Sequence, residues 1–269
     1  MKIAAILAVA GLAGIASAQI TISPINTPFT DIRATGTLLT TGGTSVNLGD
    51  DGEATITGAQ LSAAGFTGNP LFPVADIRVG NNGGVVWNSG TGDIGFTNAN
   101  LLTATAAQVG TASQGGTRQF IAPFWDDMFG SSTNGARNLW QVSGGNLIIT
   151  WLDQDHFGAQ GTGRVTMQLV VYSNAGGALA DFVYNDTLLL GGATPASQND
   201  GGSASIGYKN WGGPAWANDV QWSFDTKSVA GYIESEIPTN PNALRIIPAP
   251  GALALLGLGG LVAGRRNRR

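Results

Sequence analysis

The chain holds one histidine, His156, in the stretch WLDQDHFG, with Asp153 and Asp155 beside it. An imidazole titrates near neutral pH, and a neighbouring carboxylate completes a general acid/base pair or offers an oxygen ligand to a metal. The same residue types also gather in polar loops between strands. With no second histidine and no cysteine, the chain lacks the ligands of a zinc site. The plainer expectation is a loop after the Trp151 strand, and a hydrolase built on Asp153, Asp155 and His156 is the sharper alternative.

Acidic pairs stand at Asp126 and Asp127 in PFWDD and at Asp50 and Asp51 in LGDDGE, with Asn199 and Asp200 together in QNDGG. Two carboxyls facing a sugar are the tools of a glycosidase, and Ca²⁺ takes several oxygens from such loops. None of these pairs has EF-hand spacing. Turn formation or capping is the simpler role, and Asp126 and Asp127 are the choice if an ion is held. There is no nucleophile elbow, no phosphate-binding glycine loop with its lysine and no paired-histidine helix. No catalytic residue and no cofactor is therefore assigned. Of the seven tryptophans, Trp211 and Trp216 in YKNWGGPAWAND sit in a Gly- and Pro-rich stretch, where indole faces are free to stack on sugar rings. The others look like core.

What must position these residues is a set of strands. RQFIAPFW, NLWQV, NLIITWL, RVTMQLVVY, ADFVY, SASIGY and VQWSF are short runs of β-branched and aromatic residues separated by Gly, Asn, Asp and Ser. NLWQVSGGNLIITW reads as a hairpin across Ser-Gly-Gly-Asn. In RVTMQLVVY the alternation puts Val165, Met167, Leu169 and Val171 on a core face, leaving Arg164, Thr166 and Gln168 partly wet. Helical stretches are expected only near Gly58 to Ala64 and Asn100 to Ala107. The fold class is all-β, a single antiparallel β-sandwich spanning residues 19–247.

Composition agrees: charged residues are only 11% of the chain, and 41 glycines serve many turns. The formal charge is −4, but five of the 13 cations lie in the two terminal segments, which leaves 8 against 17 anions in the body, about −9. An acidic body is a poor partner for nucleic acid, whose phosphates need Lys and Arg. The absence of cysteine rules out a disulfide framework.

The chain opens MKIAAILAVAGLAGIASAQ: a cation at Lys2, an apolar run, then Ala16-Ser17-Ala18 before Gln19. This order predicts a signal peptide over residues 1–18, forming a short apolar helix, with cleavage between Ala18 and Gln19. At the other end Pro248, Ala249 and Pro250 precede an apolar run from Gly251 to Gly264 and the cluster Arg265, Arg266, Arg268 and Arg269. Fourteen residues make about 21 Å of helix, short of the ~30 Å hydrocarbon core. The arginines would stay on the cytoplasmic side and snorkel. The run suits a transient transmembrane helix better than a permanent anchor.

Residues 248–269 resemble the PEP-CTERM sorting segment of bacterial exported proteins, with Ala249 where that family has Glu. The resemblance implies an exosortase-type processing enzyme and the export machinery as partners, and a cut near Pro248 to Gly251. In the body, VADIRVGNNGGVVWNSGTGDIGFTN, IAPFWDDM, NLIITWLD, VTMQLVVYSNAG, ADFVYND and SASIGYKN follow one another as in the extracellular nidogen-like domain, over roughly residues 75–224. This second resemblance implies a sandwich of matrix and adhesive proteins with no catalytic residues to carry over. The expectation is an exported, non-enzymatic surface or extracellular-matrix protein, structural or adhesive. The alternative is a carbohydrate-binding module for exopolysaccharide, with Trp211 and Trp216 as its platform.

Overall fold

Short β-branched and aromatic runs broken by turn residues give strands that are too brief to stand alone and must pair. The computed structural model describes residues 19–42, 47–91, 93–105, 118–130, 135–158, 164–173, 177–188, 198–229 and 241–249. The expected signal helix and the tail from Pro250 onward lie outside these residues.

The strands are β1 (Ile20–Ile25), β2 (Thr37–Leu38), β3 (Glu53–Ile56), β4 (Ile77–Gly80), β5 (Val85–Trp87), β6 (Gln119–Trp125) and β7 (Met128–Phe129), then β8 (Arg137–Ser143), β9 (Asn146–His156), β10 (Val165–Val171), β11 (Ala180–Asp186), β12 (Ser205–Asn210), β13 (Val220–Phe224) and β14 (Ala243–Pro248). The α-helix among the described residues, α1 (Gly58–Ala63), starts in a capping box formed by Thr57 and Gln60. Among the described residues no helix is long and apolar enough to cross a membrane. Where a helical stretch was expected from Asn100 to Ala107, the described part is a single turn: the Asn100 side chain accepts from the Leu102 amide and its carbonyl from the Thr103 and Ala104 amides, and residues 106–107 lie outside the described residues.

Two antiparallel sheets result. One is ordered β1-β14-β11-β10-β9-β8-β2, with β7 beside β9; the other is β13-β12-β6-β5-β4-β3. The expected hairpin is β8 to β9, with Ser143 opposite Asn146 and both Gly144 (φ 57) and Gly145 (φ 84) left-handed. That is the backbone a twist-matched two-residue turn requires.

The sheets enclose a common core in which Leu147, Ile149, Trp151, Met167, Leu169 and Phe182 meet Val79, Val85, Ile121, Phe124, Ile206 and Tyr208. Each such side chain contributes roughly 1.5–3 kcal/mol by leaving water. The all-β, sandwich-like reading holds. Both outer faces are also covered. Phe29 and Ile32 pack on Leu139, Ile148 and Val170, and Ile94, Leu101 and Ala104 pack on Val86, Phe120 and Trp125.

This covering corrects the expected wet face of β10 at Thr166 and Gln168, while Arg164, just before the strand, is half-buried as expected. All seven of the strand's residues are buried; Gln168 accepts from the Thr30 amide at 3.1 Å, and its amide group donates to the Thr30 carbonyl and to Thr150 Oγ1. An overlying loop replaced water as the partner of the polar face.

Candidate functional site

At one end of the two sheets four segments meet: residues 47–52, the β4–β5 turn, the exit from β6 into β7, and the end of β9. In PFWDD, Phe124 enters the common core. Trp125 points to the opposite face, its indole donating to the Gly95 carbonyl at 2.7 Å. The two aspartates that follow are then divided.

Asp126 is 3% exposed. Its Oδ1 accepts from the Asp127 amide at 2.9 Å, its Oδ2 accepts from Ser203 Oγ at 2.6 Å, and His156 Nε2 lies 3.5 Å from Oδ1. With its oxygens engaged internally, it is a knot tying β6, β9 and the segment before β12. The expectation that Asp126 and Asp127 would serve one ion together does not fit this division.

Asp127 instead faces Asp50 and Asp51, and the three carboxylates lie within 4.8 Å of one another. Asn82 Nδ2 donates to Asp51 Oδ1 at 2.8 Å, and Asn82 Oδ1 accepts from the Met128 amide at 2.9 Å, so the β4–β5 turn fixes the group. Burial raises the Asp127 carboxyl above its ordinary range, with Asp51, Asp126 and Asp50 adding to the effect and His156 opposing it. Asp50 is raised as well, by partial burial and then by Asp51. Phe96 and Phe157, 51% and 49% exposed, border the same shallow depression. Hard divalent cations suit such oxygen groups.

His156 does not sit at a loop tip. β9 runs on through it and pairs Met128 with His156 and Phe129 with Asp155, so the expected loop is strand. Its Nδ1 bonds the Phe157 carbonyl at 2.8 Å. Burial lowers its basicity, but hydrogen bonding and charge from Asp126 outweigh that, and the net shift is upward. Ser203 donates to the carboxylate, so in this group of Ser, Asp and His the carboxylate is central. Nucleophilic serine needs the imidazole in that place. Asp155 is fully buried. Asp153 is left-handed (φ 51) at the bulge where β9 shifts register against β10, and it bonds Thr166 through its amide at 3.1 Å. Asp153, Asp155 and His156 are thus spread along a bulged strand.

Trp211 and Trp216 are both half-buried. Trp211 packs on Phe120 with ring centroids 6.3 Å apart and has the Lys209 ammonium 5.9 Å from its centroid. Trp216 packs against the common core between the sheets. Their neighbours belong to opposite faces of the β6–β12 sheet. Asp200 is left-handed (φ 60) and accepts from Thr187 Oγ1 at 3.1 Å, a turn-forming role.

At the two ends of the described residues, Pro248 closes β14 opposite Ile20, and the Ala249 amide donates to the Gln19 carbonyl at 2.5 Å. Ala16, Ala18, Pro250, Gly251 and Arg265 to Arg269 lie outside the described residues. Sequence reasoning missed Asn82, Phe96, Phe157 and Ser203 as members of this end. The NNGG turn was legible, but not the target of its side chains.

No protein-family model, no curated protein and no solved structure matches the chain.

Proposed function

We propose that this is an exported bacterial protein of the cell surface or extracellular matrix, structural or adhesive in role, delivered through a C-terminal sorting segment that an exosortase-type enzyme removes. The observation that carries the reading is the pairing of the first and last strands among the described residues. β1 begins just after the Ala16-Ser17-Ala18 step, β14 ends on Pro248, and the two run antiparallel from Ile20–Pro248 to Ile25–Ala243. Every strand of the two described sheets lies within residues 20–248. Strands flanking both signals meet at one sheet edge, so removal of the two signals leaves the pairing whole.

The acidic end with Phe96 and Phe157 is the contact surface that best suits an adhesive role, because exposed aromatics supply binding area at low entropic cost. The carbohydrate-binding alternative rests on Trp211 and Trp216, which retain partial exposure but pack on different clusters.

The experiment is deletion of Gly251 to Arg269 in the native host, followed by protein counts in membrane, surface and medium fractions. Redistribution from the surface fraction, together with mass-spectrometric ends at Gln19 and between Pro248 and Gly251 in the parent protein, is the expected result. An unchanged distribution overturns the sorting role.

A further inference from the structure

Gln19 stands immediately before β1, and its polar groups are divided. Its carbonyl accepts from the Ala249 amide at 2.5 Å, and the next amide along, that of Ile20, donates to Asn218 Oδ1 at 2.7 Å. The Gln19 nitrogen and side-chain carboxamide have no hydrogen-bond partner among the described residues, and the residue is exposed. The backbone after its Cα is pinned, while the nitrogen and the side chain remain free to meet.

Removal of residues 1–18 turns that nitrogen into an α-amine. Such an amine titrates at about 7.7–8.0, so a part of it is unprotonated and nucleophilic at neutral pH. The electrophile is already attached: the Cδ of a glutamine lies at the distance along the chain that closes an unstrained γ-lactam with its own nitrogen, and an intramolecular attack needs no encounter. We propose that Gln19 of the mature chain is a modification site, cyclised to pyroglutamate. The amine nitrogen attacks Cδ, the N–Cδ bond forms and the Cδ–Nε2 bond breaks. Nε2 leaves as ammonia, carrying a proton from the attacking nitrogen, and no oxidant, reductant or other reactant enters. The inference rests on the proposed removal of the signal peptide after Ala18.

The fold tolerates the ring at this position. A lactam locks rotation about N–Cα, as proline does, and this would matter if the nitrogen donated to a ladder. The register of β1 with β14 starts at the following residue, Ile20 opposite Pro248, so ring closure leaves every pairing of β1 in place. The pinned carbonyl keeps its bond to Ala249, because the ring does not include it. β1 is also an outer strand of its sheet, and chain ends are where fraying and proteolysis begin. A lactam there offers no ammonium for an aminopeptidase to grip, which protects the strand that closes against β14.

The test uses the protein that the native host exports from the full chain. Amines of the intact, folded protein are dimethylated before digestion, which separates a lactam already present from one made during handling. The expected N-terminal peptide starts at residue 19, carries no dimethyl group on its α-nitrogen and is lighter by one ammonia than the unmodified peptide. Gln19→Asn should give the same start with a dimethylated α-amine, since asparagine cannot close that ring. A dimethylated Gln19 in the parent protein overturns the cyclisation and leaves the signal-peptide reading standing. An unlabelled α-nitrogen in Gln19→Asn also overturns it, because the block would then be another modification. A start at any other residue overturns both the cyclisation and the cut after Ala18.

Discussion

The Tyr184 hydroxyl donates to the Pro123 carbonyl at 2.7 Å, joining β11 of one sheet to β6 of the other through the buried core. Full burial raises the phenol well above its ordinary pKa and keeps it a donor at every physiological pH. Proline has no N–H to give the ladder, so at this position the backbone's contribution is the carbonyl, and the tyrosine takes it. Tyr184→Phe removes the donor and leaves that carbonyl orphaned. Its expected cost is about 1–2 kcal/mol, read as a lower urea midpoint at unchanged slope. An unchanged midpoint would show that the carbonyl finds another partner.

Glu53 gives a pH signature. Its side chain is 5% exposed and accepts from Arg78 Nε at 2.9 Å and from the Ile94 amide. Burial pushes its carboxyl up to about 7; the Ile94 amide and Arg78 pull it down without cancelling that, and Asp93 adds to the rise. The folded chain therefore holds this proton more tightly than the unfolded chain does. The group's contribution to stability is full below about 4.5 and is lost as pH rises toward 7, at no more than about 1.4 kcal/mol per pH unit. Urea midpoints between pH 4.5 and 8 should fall for the parent protein and lose this component in Glu53→Gln. Parallel profiles for the two proteins would refute it.

Gly83 and Gly144 are both left-handed, at φ 74 and φ 57, yet substitutions should separate them. A Cβ on Gly83 would lie 2.0 Å from the Phe124 carbonyl oxygen, whereas one on Gly144 meets nothing within 4 Å. Gly83→Ala should lower stability by roughly 3 kcal/mol or more, from backbone strain and overpacking together. Gly144→Asn should stay within about 0.5 kcal/mol, since Asn is accepted in such turns. Thermal or urea melts of the two variants decide it.

Truncations should divide sharply around β14. The strand lies between β1 and β11, so a chain ending at Asn242 loses both pairings and frees the edge of β11. It should lose cooperative unfolding by near-UV circular dichroism. A chain ending at Pro250 keeps every β14 partner and should melt within about 2 °C of the full chain. If the Asn242 truncation melts cooperatively near the parent temperature, β14 is dispensable and the closing role given to it fails.

The sequence by itself determined the strands and the turns between them. Local chemistry sets these: alternating apolar residues in Leu147 to Trp151, glycines where the backbone must turn left-handed at Gly144 and Gly145, and a capping pair at Thr57 and Gln60. It also pointed to Trp87, Trp125 and Trp151 as core, because large rings in alternating runs have nowhere else to go. The tertiary structure alone decided who faces whom. Gln168 reads as a solvent-facing residue until Thr30, 138 positions away, closes over it. Asp126 and Asp127 read as one pair until the strand exit turns one carboxylate inward to Ser203 and His156 and the other outward to Asp50 and Asp51. His156 reads as a loop residue until β7 pairs with it. In each case the partner is distant in the chain, and periodicity describes only which face a residue occupies. What covers that face depends on the return of segments whose own pattern carries no address.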